Sequence, residues 1–149
     1  DFFRPENDVS AVLIHEKVHV AQRLFPDKFR KLYEMWGFTE IDRQPYHSNC
    51  RSNPDTNNEF WKWKDGGDLV AYYDKNPNSI ADVKYKKVRN NLVEDISKDY
   101  YDFFGLNYNH YHVNEISAEL VTLFVMNVKH DYPAQKILAN WYTNNLKNL

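Results

Sequence analysis

A chain of 149 residues with 42% hydrophobic and 16% aromatic side chains carries enough apolar surface to bury a core as one globular domain, 1–149, and is too aromatic for a disordered one. Nineteen Lys and Arg against 21 Asp and Glu leave a formal charge of −2, which argues against nucleic acid or an anionic membrane surface as the partner. The single cysteine, Cys50, excludes an internal disulfide, and no apolar run approaches the roughly 20 residues of a membrane span, so a soluble chain held by packing or by a metal is expected.

The first periodic segment, residues 8–24, predicts a helix with Asp8 as N-cap and Val9, Leu13, Val20 and Leu24 among its spaced apolar positions. Pro26 opens a second helix through Phe29, Leu32, Tyr33 and Trp36, and Gly37 follows as its C′ residue, completing a helical hairpin. Residues 39–58 have no sustained period and are rich in Pro, Asn, Ser and Asp, which predicts a long loop holding His47, Cys50, Arg51 and Asp55. Alternation at 60–64 and 69–73 about the turn residues Asp65-Gly66-Gly67-Asp68 predicts a hairpin. The turn chemistry of Asn76-Pro77-Asn78-Ser79 leads to a third strand at 83–88, read as a lysine-studded edge. Helical patterns resume at 92–104, closed by Gly105, then at 113–129 and, after Pro133, at 134–146. The fold class read from this order is α+β and helix-rich, with a small antiparallel sheet between two motif-bearing helices.

The chemistry sits on the first helix, in His15-Glu16-Lys17-Val18-His19. Two imidazoles four residues apart share one helical face, so both reach a single Zn²⁺ while Glu16 lies beside the ion's open side, where it can take a proton from water. Apolar Ala11, Val12, Leu13 and Ile14 are expected to bury the opposite face. The alternative reading makes His15 and His19 ordinary polar-face residues. Zinc chemistry needs a third ligand, and Asn114-Glu115-Ile116-Ser117-Ala118-Glu119 on the later helix offers two carboxylates at i and i+4. One of these can bind the metal directly while the other hydrogen-bonds a ligand imidazole; two solvated glutamates are the plainer reading. Ile116, Leu120, Leu123 and Phe124 crowd the neighbouring stripe, which turns the acidic face partly inward.

Together the two segments resemble the gluzincin metallopeptidases of thermolysin type, whose pattern is H-E-x-x-H on one helix and N-E-x-x-S-D on a later one. The resemblance implies Glu115 as the third zinc ligand, with Glu119 in place of the Asp that orients a histidine and Ala118 in place of Ser. It covers about 25 residues and implies a zincin-like pair of metal-binding helices. Two features depart from it: the predicted strands fall between the motifs, and 115 − 19 = 96 residues separate His19 from Glu115. Metzincins are excluded, because their longer motif needs Gly at Gln22 and His at Phe25. Gln22, one turn past His19, either lines the site or faces solvent.

Tyr108, His110, Tyr111 and His112 precede the Glu115 helix as candidate oxyanion or substrate contacts, and no spacing chooses among them. His110 and His112 also form an H-x-H pair able to complete a four-ligand shell or build a second site. His47, Arg51 and Asp55 are candidate substrate contacts, whereas Trp61 and Trp63 read as sheet packing. The expected function is therefore a hydrolase with one Zn²⁺ per chain that cleaves a peptide or protein substrate, Glu16 acting as general base. The alternatives are an inactive zincin-like domain, with a structural zinc or a protein-binding role, and a metal-free helical binding domain. Oligomeric state, compartment and any upstream targeting or pro-segment are left open.

Overall fold

The computed structural model describes residues 8–42, 48–51, 53–64, 67–73, 82–89 and 91–146. His47, the turn at 76–79 and residues 65–66 of the predicted hairpin turn lie outside them.

Helix α1 (Val9–Leu24) starts where the Asp8 carboxylate accepts the Ala11 amide at 3.1 Å, the predicted N-cap. Helix α2 (Pro26–Met35) follows with Pro at its first position, and Gly37, at φ +96°, lets the chain turn into β1 (Phe38–Ile41). Strands β2 (Phe60–Trp63), β3 (Gly67–Tyr73), β4 (Val83–Arg89) and β5 (Leu92–Glu94) complete one antiparallel sheet in the order β1-β2-β3-β4-β5. Three helices then close the chain: α3 (Lys98–Phe104), α4 (Val113–Val125) and α5 (Pro133–Asn145).

The architecture is α+β, and the sheet does lie between the two motif helices in sequence. Several expectations are corrected. The segment read as loop contributes β1 and a 3₁₀ turn, Pro54–Thr56, that Asn53 caps by accepting the Asp55 amide. The lysine-studded strand β4 is internal, because Asn91, at φ +66°, reverses the chain and pairs Leu92 with Arg89. Helix α3 consequently begins after Ser97, whose side chain accepts the Tyr100 amide, and not at residue 92. Helix α4 stops at Val125 and not at 129, since Asn127 adopts φ +59° and the Val128 amide bonds back to Leu123 O at 2.9 Å.

Helix α4 is central, with every residue from Val113 to Leu123 buried. An aromatic core of Trp36, Phe38, Trp61, Trp63, Tyr100 and Phe104 joins the sheet to the helices. Its indoles keep their N–H groups paired: Trp63 Nε1 donates to Trp36 O at 2.9 Å and Trp36 Nε1 to Ala134 O at 3.0 Å. Helix α1 packs on α4 in an unexpected orientation. Val9, Leu13, Val20 and Leu24 are 47–77% exposed and Val12 is exposed too, while Ala11, Val18, His19 and Gln22 face inward. The face carrying the histidines is the buried one. No helix among the described residues is long and apolar enough to cross a membrane.

Candidate metal centre

Because α1 lays its polar stripe on α4, His15 and His19 meet Glu115 and Glu119, which share a face one turn apart. Leaving two carboxylates buried there without partners is costly, and both are paired. Glu119 Oε1 stands 3.1 Å from His15 Nδ1; since a carboxylate only accepts, His15 carries its proton on Nδ1 and turns Nε2 the other way. Glu119 is itself held by Tyr108 Oη at 3.2 Å and by Asn109 Nδ2 at 3.1 Å.

Gln22 settles His19 in the same manner. Its Nε2 donates to Asn114 O at 2.8 Å and to Ser117 Oγ at 2.7 Å, so the Oε1 that remains accepts from His19 Nδ1 at 2.9 Å. Of the two readings left open for Gln22, the structure supports a place at the site. Tyr33, wholly inside, donates to Asn114 Oδ1 at 2.7 Å and fixes the turn from which Glu115 projects.

Both rings thus present Nε2 to the same small volume. The two Nε2 atoms are 2.9 Å apart, and Glu115 Oε2 and Oε1 stand 3.3 and 3.2 Å from those of His15 and His19. Ligands at 2.0–2.1 Å from a tetrahedral zinc are separated by about 3.3 Å, so the spacing suits that ion. With each Nδ1 protonated, three acceptor groups face one another, an arrangement able to hold a cation between them. A proton can take that place. Burial alone lowers the pKa of both histidines, but hydrogen bonds to Glu115 and Glu119 outweigh it at His15, which is held up at about 10, and Glu115 raises His19 likewise. Burial pushes the Glu115 carboxyl up, yet the hydrogen bonds from His15 and His19 prevail and bring it down to about 2.

The remaining expected residues separate clearly. Glu16 is exposed on α1, one residue past His15. His112 spends both ring nitrogens on backbone: Nδ1 accepts the Asn114 amide at 3.0 Å as the N-cap of α4, and Nε2 donates to Glu59 O at 2.7 Å. His110 is buried against Tyr85, Tyr100 and Tyr101, where desolvation brings its pKa down to about 4. Neither belongs to the group of ligand atoms formed by His15, His19 and Glu115, so the H-x-H pair supplies no fourth ligand. Tyr108 has given its hydrogen to Glu119, whereas the Tyr111 hydroxyl accepts from Asn53 Nδ2 and retains its own hydrogen to donate. Burial and the nearby charges of Glu115 and Asp55 raise the Tyr111 pKa and keep the phenol neutral. Arg51 lies with Asn53, Asn109 and Tyr111 around a cavity of about 210 Å³. Trp61 and Trp63 are buried in the core.

No protein-family model, curated protein or solved structure matches the chain.

Proposed function

We propose that this protein is a zinc-dependent peptide hydrolase with a zincin-like pair of metal-binding helices, in which His15, His19 and Glu115 hold one Zn²⁺ and Glu16 is the general base. One observation carries the reading. Two imidazole Nε2 atoms and the Glu115 carboxylate converge as acceptors, while Glu119 and Gln22 hold the opposite ring nitrogens. A zinc ion held there supplies Lewis acidity, polarising a substrate carbonyl and making water acidic enough to ionise near neutral pH.

The chain's own residues do the rest. Glu16, exposed and adjacent in sequence to His15, accepts the proton of the attacking water and passes it to the leaving amine. Tyr111, neutral and with its hydrogen free, donates to the negative charge that develops on the carbonyl oxygen. Glu119, Tyr108 and Asn109 hold the His15 ring, and Gln22 holds that of His19. The substrate we assign to this centre is a peptide or protein.

The test combines elemental analysis with a fluorogenic peptide library on the parent, Glu16→Gln and Glu115→Ala. The parent is expected to hold one zinc per chain, Glu115→Ala to lose it, and Glu16→Gln to retain it while hydrolysis falls by about 10²–10⁴-fold or more. A parent that takes up no zinc on reconstitution refutes the centre; full hydrolysis by Glu16→Gln refutes the assigned base.

A further inference from the structure

A further carboxylate reaches the centre from outside both motifs. Asp55 Oδ2 stands 3.7 Å from His19 Nε2, the same ring atom that lies 3.2 Å from Glu115 Oε1. We propose that Asp55 is a fourth protein ligand, which closes the open position in the resting protein and must leave it before a substrate can bind. The inference rests on the zinc reading above.

The position of Asp55 is built. Its amide is capped by Asn53 Oδ1 at 2.9 Å, and its carbonyl accepts from Asn114 Nδ2 at 2.8 Å, so its backbone is tied to the residue preceding Glu115. Thr56 Oγ1 donates to Asn53 O at 2.7 Å, and the consecutive left-handed residues Asn57 and Asn58, at φ +54° and +56°, then carry the chain away. The carboxylate is only half-buried on this fixed support. Asp55 lies outside the mutually close ligand group of His15, His19 and Glu115, so its carboxylate reaches the ion only after a change of side-chain rotamer.

Asp55 also has somewhere to go: its other oxygen, Oδ1, lies 4.0 Å from Arg23 Nη1, at the exposed end of α1. A carboxylate between an ion and a guanidinium has two resting places. The inward one shuts the centre; the outward one leaves room for a carbonyl oxygen and water.

Cobalt substitution tests this without relying on turnover. Co²⁺-loaded parent, Asp55→Asn and Asp55→Ala are titrated with azide while the visible bands are followed, and zinc affinity is measured against a chromophoric chelator. The parent spectrum is expected to resist azide, the Asp55→Ala spectrum to shift with it, and zinc affinity to fall roughly ten- to hundredfold in Asp55→Ala. Asp55→Asn, which preserves shape, is expected to fall between them and guards against a folding defect in the alanine variant. Equal zinc affinity in all three proteins, with azide binding already present in the parent, overturns the role of Asp55 and leaves the zinc centre standing. A parent that takes up neither metal overturns both readings together.

Discussion

The Gln22 carboxamide accepts from His19 Nδ1 at 2.9 Å, and its nitrogen reaches across to the backbone and side chain of the first turns of α4. One side chain therefore couples the ring angle of His19 to the helix that carries Glu115. Gln22→Ala leaves the His19 Nδ1–H without a partner, and the expected losses are about 1–3 kcal/mol of stability and roughly ten- to hundredfold in zinc affinity. Urea denaturation with and without chelator, together with a competition titration, measures the two separately. Unchanged zinc affinity would make Gln22 a packing residue only.

Glu119 and Glu115 are expected to separate by the size of the zinc defect. Glu115→Ala removes a ligand and abolishes stoichiometric zinc, whereas Glu119→Ala, which only releases His15 Nδ1, weakens binding by about ten- to hundredfold. Zinc stoichiometry at micromolar protein distinguishes them, and the opposite order would exchange the two roles.

In the proposed centre, zinc uptake has to displace a proton shared within the His15, His19 and Glu115 group. Because His15 is held up at about 10, apparent zinc affinity is expected to rise by about tenfold per pH unit across pH 6–8, with at least one proton released per ion. The same proton stabilises the metal-free fold: a histidine raised from 6.5 to about 10 contributes fully below pH 6.5 and progressively less as pH rises towards 10. The gap in melting temperature between zinc-loaded and chelator-treated protein should therefore widen with pH, as calorimetry at pH 6, 7 and 8 would record.

His110 produces the opposite slope at the acid side. Its pKa is pushed from 6.5 down to about 4, so its contribution is complete above pH 6.5 and is lost as pH falls through 4, by about 3 kcal/mol at most. His110→Phe keeps a ring against Tyr85 and Tyr100 and is expected to flatten stability across pH 6.5–4, with His112, held near 4 by burial, supplying the remaining slope. A melting curve as steep as that of the parent would exclude His110 as the source.

The site was legible in the sequence wherever it rests on helical spacing. His15 with His19, and Glu115 with Glu119, are i, i+4 pairs, and that geometry brings each pair to one face before any tertiary contact forms. Asp55 has no such signal; 55 − 19 = 36 residues separate it from His19, and only the Asn53 cap and the Asn114 carboxamide bring it near. Tyr111 is one of several adjacent aromatic side chains, singled out by the hydrogen bond its oxygen receives from Asn53. Apolar periodicity misled at α1, where Val9, Leu13, Val20 and Leu24 mark the outer face because the inner one is occupied by polar residues. Leu92 falls within the helical pattern 92–104, although the left-handed Asn91 before it makes a hairpin, and the pattern of α4 runs past Asn127 for the same reason.

With its larger apolar side chains outside, α1 is secured by Ala11, Val18 and a polar network, and by little buried hydrocarbon. In the proposed centre, the zinc ion that joins it to α4 then adds to its opening free energy. Amide hydrogen exchange should show α1 as the least protected helix in chelator-treated protein, and zinc at a hundredfold excess over its dissociation constant should slow that exchange by roughly a hundredfold while the central amides of α4 respond less. The ion would thus decide whether the first helix belongs to the folded body.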